Sequence, residues 1–335
     1  MNMEDQIQAI QSFGYSEVEA RFLRLVALHG GYFVRRQFLR SAGCELGKRA
    51  QDFIDKLAAR KHACRDIYRE DRHLYRLHYG PIYAAIGEEG NRNRREHQPA
   101  TIRVRLMGLD FVLEHPDYQF LATEQDKLRY FFDERKIEAG VLPSRAFCVK
   151  GLFLTRHFVD GFPLFLSNGE PPDLSFCFID DGQFSTAAFR SYLRQYYRLF
   201  QVLGPVTLFF VTQDKQRAEA AGKTLCRFRD RLEESAKTAV DTARLLAHFP
   251  HRALLERRET RCLNTAQMNQ LAEDIHDFAG PRFTRLFELW QQEGDDGVRA
   301  ELAAENDMRA QLNISLTSCI LEHDYDLFGN LQAAS

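Results

Sequence analysis

Two sets of residues in this chain carry chemistry by type and spacing. The first is acidic. Pro172-Asp173 precedes the apolar run Phe176-Cys177-Phe178-Ile179, which ends in Asp180-Asp181-Gly182. Paired carboxylates at the end of a buried strand can hold Mg²⁺, the ion that stabilises the attacking and leaving oxygens when a phosphodiester is cut. Asp173, Asp180 and Asp181 are therefore the candidate catalytic residues of a metal-dependent nuclease or nickase, with Glu124 as a further acid and Lys150 as an ammonium from another strand. Against that chemistry, no lysine stands two residues after Asp180 or Asp181 to orient the attacking water; Gly182 and Gln183 occupy those positions. The second set is basic. Lys48, Arg49, Gln51 and Lys56 fall on one face of a short helix, where Arg and Lys reach guanine edges or phosphates and Gln reads adenine. Arg35, Arg36 and Arg40 flank that helix. Arg65, Arg69, Arg72, His73 and Arg76 line the hairpin that follows and suit phosphate contacts better than base reading. Asp52 and Asp55 share the helix face and repel phosphate.

Other arrangements fail on spacing. Gly222-Lys223-Thr224 resembles the end of a phosphate-binding loop, but the loop's first glycine would be residue 217, which is Arg217, and the segment lies within a helix. His248, His251 and Cys262 lack a fourth ligand for zinc. No metal or cofactor is expected outside the nuclease alternative, where Mg²⁺ would serve. The seven cysteines are scattered with no CxxC pair, which disfavours a disulfide framework and favours a reducing cytoplasm. The N-terminus has early acids and no apolar core of a signal peptide, and no apolar run approaches the roughly 20 residues of a membrane span. Charge is unevenly spread. Residues 1–105 hold 19 Lys and Arg against 13 Asp and Glu, whereas the remaining 230 hold 26 against 34. A basic first third on an acidic remainder points to a polyanionic partner for the first part alone.

The elements that must position these residues read as follows. Ser16 and Glu19 fit a capping box, and Val18, Phe22, Leu25 and Val26 continue the helix to Gly30-Gly31. A short β-prone run at 32–34, two helical turns at 35–41, a third helix at 47–61 with Ala50, Phe53, Ile54 and Leu57 on one face, and a hairpin from 64–69 and 74–79 come next. Short helices separated by glycine, then a basic hairpin, read as a winged helix-turn-helix, in which the third helix enters the major groove and the hairpin grips the backbone. A polar stretch at 87–99 reads as a linker or an exposed helix end, and a helix is expected at 101–113. Strands at 118–122, 147–158, 164–167, 174–179 and 206–212, alternating with helices at 124–134, 184–202 and 214–234, argue for an α/β layer. Residues 236–335 read as mostly helical, with breaks at Pro250, Gly280-Pro281 and Gly294–Gly297.

This order, a winged helix followed by an α/β domain with Pro172-Asp173, an apolar strand ending in an acid-Gly turn, a helix ending in Tyr196-Tyr197 and the strand at 206–212, resembles the replication-relaxation family of plasmid and mobile-element proteins. The resemblance covers about residues 16–230. It implies a C-terminal domain like the PD-(D/E)xK nucleases, with Asp173 as the acid of the Pro-Asp pair and Asp180 as the acid before the turn. Where that pattern has a second acid this chain has Phe178, which implies a nuclease fold without its chemistry. The expectation is a mixed α+β and α/β protein: a winged helix-turn-helix at 1–95, a restriction-endonuclease-like domain at 100–235 and a helical region at 236–335. Its function would be non-catalytic binding of double-stranded DNA in transcription control, replication or transfer of a bacterial mobile element, in the cytoplasm and as a homodimer. The alternatives are a metal-dependent nickase and a protein-interaction module that never touches nucleic acid.

Overall fold

The computed structural model describes residues 2–44, 47–68, 72–149, 152–167, 173–183, 186–237, 241–310, 312–323 and 325. It is a mixed α and β protein whose chain divides into two compact units, residues 1–225 with 313–335, and residues 226–312. This differs from the division expected at residues 95–100. The polar stretch there does not act as a free linker: Asn93 donates to the carbonyls of Ala27 and Leu28 at 2.9 and 3.1 Å, and the Tyr32 hydroxyl donates to the Arg95 carbonyl at 3.1 Å.

The first unit opens with α1 (Met3–Gln11), α2 (Glu17–His29), β1 (Tyr32–Val34), α3 (Arg35–Ser41), α4 (Lys48–Ala59), β2 (Ala63–Tyr68), β3 (Arg72–Leu77) and α5 (Gly80–Ala85). The Ser16–Glu19 capping box starts α2, each side chain meeting the other residue's backbone N–H. β1, β3 and β2 form an antiparallel sheet in that order. Because strand side chains alternate, this small sheet serves two cores. Phe33, Tyr75 and Leu77 face the helices, where Phe22, Phe38 and Phe53 gather, the last two stacked at 4.1 Å. Tyr32 and Leu74 face the other way, into a second core built around α6 (Pro99–Glu114).

That second core lies on one face of a five-stranded sheet. After α6 come β4 (Gln119–Phe120), α7 (Glu124–Arg129) with a π-helical turn at Tyr130–Glu134, the hairpin β5 (Ser144–Val149) and β6 (Leu152–His157), β7 (Leu164–Leu166), β8 (Leu174–Ile179), α8 (Thr186–Leu203), β9 (Val206–Thr212) and α9 (Lys215–Lys237). The single strand expected at 147–158 is thus a hairpin. α6 lays Leu106, Met107 and Phe111 over Phe165, Cys177, Ile179 and Val211. On the opposite face Phe176 and Phe178 meet Phe200 and Phe189 of α8 at 4.9 and 5.0 Å. All six residues of β8 are buried, which is why they read as a continuous apolar run.

The second unit holds α10 (Thr242–Glu256), α11 (Thr265–Asp277) and α12 (Pro281–Ala310), the last broken at Gly294, where φ is +73°. Leu245, Leu246, Phe249, Phe278, Leu286, Phe287, Val298 and Leu302 form its core. Pro250, expected to break a helix, lies inside α10, held by the packing of Phe249 against Phe287 and Trp290 just before it. The chain then returns to the first unit. Residues 314–320, expected to be helical, are β10 (Ile314–Ile320), which pairs parallel with β9 and completes the sheet order β10-β9-β8-β7-β4. Ile314, Leu316 and Ile320 fall on one side of the alternation, broken at Ser318, which is a weak strand signal, and β9 supplies the partner.

Candidate nucleic-acid interface

α4 is amphipathic. Ala50, Phe53, Ile54 and Leu57 are buried, and this fixes Lys48, Arg49, Gln51, Asp52 and Asp55 on the exposed side. The Arg35 guanidinium, at the start of α3, donates to the Gly47 carbonyl at 3.4 Å and so lies beside the N-terminus of α4. That end carries the positive pole of the helix dipole together with Lys48 and Arg49, and it favours an anion.

The hairpin divides its basic residues between two faces. Arg65 pairs across the sheet with Tyr75, so both project toward α4. Burial raises the affinity of the Tyr75 phenol for its proton, Arg65 and Arg35 oppose that, and Asp55 adds to it. The charges of Arg35, Arg65 and Asp55 thus all act on this phenol, whose ring belongs to the core beneath α4. Arg76 sits one residue further on β3 and points to the opposite face, where it donates to the Arg94 carbonyl at 3.2 Å. Arg69 lies outside the described residues, as does the side chain of Arg72.

Three expected contacts are engaged within the fold. Arg36 donates to both carboxylate oxygens of Asp110 on α6 at 2.9 and 2.7 Å and contacts the Tyr325 hydroxyl. Asp110 is 2% exposed, and Tyr325 and Gln37 also donate to it at 2.6 and 2.8 Å. Lys56 is held by both oxygens of Glu19 at 2.9 and 2.6 Å and lies over the Tyr15 ring. Arg76 has the Arg94 carbonyl. Of the flanking groups, Arg40 is paired with Glu114 at 2.9 Å. Gln51 bonds to Asp55 at 2.8 Å but stays on the exposed surface. Lys48, Arg49, Arg35 and Arg65 are exposed and make no ion pair among the described residues, and the same holds for Arg60 and Lys61 at the other end of α4.

The acidic set does not come together. Asp173 is exposed at the start of β8 and Asp180 follows its end, so the strand holds them about 20 Å apart. Pro172 and Lys150 lie outside the described residues. Asp180 is taken by Arg217 of α9, whose Nε and Nη2 donate to its two oxygens at 2.5 and 2.8 Å. Asp181 is 1% exposed, accepts from the Gln183 backbone at 3.1 Å and has no hydrogen bond to its second oxygen among the described residues. Burial raises its pKa, partly offset by the Gln183 N–H and by Arg103. Glu124 is bound by Arg156 at 2.6 Å and by the His157 backbone at 2.7 Å. Among the described residues no three His, Cys, Asp or Glu side chains are placed to hold a metal ion. Arg103 and Asp110 were absent from the sequence reading, and Arg217 entered it only as a residue out of place in a phosphate-binding loop. No local spacing links residues 180 with 217 or 36 with 110, and only the fold brings them together. No helix among the described residues is long and apolar enough to cross a membrane. Comparison with models of protein families, with curated proteins and with solved structures gives no match.

Proposed function

We propose that the protein binds double-stranded DNA through the N-terminal half of α4, the start of α3 and the β2–β3 hairpin, used as a winged helix-turn-helix. The observation that carries this reading is that Arg35, Lys48, Arg49 and Arg65 are exposed and free of ion pairs among the described residues, while Arg36 and Lys56 beside them are locked to carboxylates. Lys48 and Arg49 lie at the end of α4 that would lead into the major groove, with Gln51 one turn on. Arg65 would contact the phosphate backbone. Asp52 and Asp55 lie further along the same face and restrict base reading to the first turn. The reading is non-catalytic, because Asp180 serves Arg217 and the Asp173 carboxylate stands at the other end of its strand. On this reading, resemblance to the replication-relaxation proteins implies a plasmid or integrative element as the setting.

The test is fluorescence anisotropy on a duplex, titrated with salt. Log affinity should fall linearly with log salt, and Lys48→Ala or Arg65→Ala should each reduce the slope by about 1. Binding with no salt dependence, or with a slope unchanged in the Lys48→Ala, Arg49→Ala, Arg65→Ala triple variant, would overturn the proposal.

A further inference from the structure

Within the first compact unit lies a cavity of about 800 Å³, walled by the end of α2, by α6, by the start of α7 and by the turn at 156–163. Sites for small molecules usually measure about 300–1,000 Å³. Val104, Ile179 and the rings of Phe162 and Phe178 give it apolar lining. Lys127 lines it too, although this side chain is 4% exposed. Its ammonium donates to the Phe162 carbonyl at 2.9 Å and lies over the Phe158 ring. It makes no ion pair among the described residues, and an ammonium buried without a counter-charge is costly. Burial accordingly pulls its pKa below the usual lysine range, opposed by Asp160 and Glu124. Arg105, on α6, is in a similar position. It donates to the Gly30 carbonyl at 2.7 Å, approaches the His97 ring at 3.4 Å and has no carboxylate partner among the described residues.

The carboxylates around the cavity have donors of their own. Glu124 accepts from Arg156 and from the His157 N–H. Asp160 accepts from the Tyr196 hydroxyl at 2.7 Å and the Phe162 N–H at 3.0 Å, and Glu88 from the Asn91 amide at 2.9 Å. His29 adds no charge, because burial pushes its pKa down to about 3. The buried charge left to answer a ligand is therefore positive. We infer that this cavity binds a small organic anion, an apolar ring bearing a carboxylate or a phosphate, with the acid group at Lys127 and the ring against Val104 and Phe178. An ammonium has three donors; the Phe162 carbonyl takes one, and the others meet the oxygens of the acid group. Carboxylate and phosphate share that acceptor chemistry. The turn that carries Phe162 is itself strained. Phe158 has φ +50°, a left-handed conformation unfavourable for a bulky side chain, and such strain gathers at ligand clamps. None of these residues belongs to the α4 surface, so the inference stands apart from the DNA-binding reading.

Isothermal titration calorimetry of the whole chain, without DNA, tests this with benzoate and phenyl phosphate as probes and benzyl alcohol as the uncharged control. At least one of the two anions should bind saturably, one molecule per chain, with a Kd of about 1 mM or below. The tighter of the two identifies the acid group. Lys127→Met keeps the length of the side chain, removes the ammonium and should weaken that binding about tenfold or more. No saturable binding of either anion up to about 10 mM, equal binding of benzyl alcohol, or affinity unchanged in Lys127→Met overturns the proposal. If Lys127→Met does not fold, hydrogen exchange of the native chain decides instead. The bound anion should slow exchange at residues 122–127 and 157–163, and exchange unchanged in both segments overturns the proposal.

Discussion

At the scale of single residues, Arg36 and Lys56 answer buried carboxylates of their own chain, whereas Arg35, Lys48, Arg49 and Arg65 make no ion pair among the described residues. Asp110 is 2% exposed, so an unanswered charge there would be costly, and Arg36 is committed to it. Arg36→Ala should therefore lower stability by about 3 kcal/mol in urea denaturation. Arg49→Ala, at an exposed site, should stay within about 0.5 kcal/mol. Equal midpoints for the two variants would refute this division of labour. His29 gives a pH signature. Burial, then repulsion from Arg24 and Lys127, pushes its pKa from 6.5 down to about 3. The folded state thus refuses a proton that the unfolded chain accepts below pH 6.5. The contribution of His29 is fully present above that value and is lost as pH falls toward 3. His29→Gln should flatten the fall in stability between pH 6.5 and 4, measured by chemical denaturation at each pH, and an unchanged slope would show that the ring titrates normally.

At the scale of elements, the positions that hold segments together are often those without side chains. Gly31 has φ +79°, and a Cβ there would stand 2.0 Å from the Asn93 carbonyl oxygen, a backbone atom that cannot move aside cheaply. Gly31→Ala should cost about 2 kcal/mol or more, from strain and from loss of the 92–95 turn against α2. Hydrogen exchange should show new opening at Asn93, and protection equal to the native chain would count against the contact. α4 gives the element-scale prediction for function. Its dipole and first turn attract phosphate while Asp52 and Asp55 repel it, so Asp52→Asn with Asp55→Asn should tighten DNA binding several-fold at low salt. Weaker binding in that variant would mean that the acids read cytosine amino groups. The elements legible in the sequence were those whose pattern is local. The Ser16–Glu19 capping box, the apolar run of β8 and the strand at 206–212 appear where their residues indicated. β10 was missed because seven residues with weak alternation become a strand only when β9 lies beside them. The basic hairpin was legible, but the division of Arg65 and Arg76 between its faces depends on register, which the sequence alone left open.

At the scale of the whole molecule, residues 1–225 and 313–335 form one unit, so the basic N-terminal part and the large sheet share a core through α6. The last described residues close that unit. Ile314, Leu321 and Tyr325 are buried, and Tyr325 donates to Asp110 at 2.6 Å. A chain ending at residue 312 loses these three side chains, each worth about 2 kcal/mol, and exposes the edge of β9. Its thermal unfolding should move well below that of the full chain, and an unchanged midpoint would show that the segment is dispensable.

The sequence by itself determined the local facts: a mixed helix and strand protein, a basic first third, an amphipathic α4 and a buried strand ending in two acids. These follow from periodicity, capping and charge, which act over a few residues. Only the tertiary structure decided the use of each charged group. It committed Arg36 to Asp110, Lys56 to Glu19 and Asp180 to Arg217, and it held Asp173 and Asp180 at opposite ends of a strand. Partner choice depends on distance and burial between segments far apart in the chain, and those quantities exist only once the chain has folded.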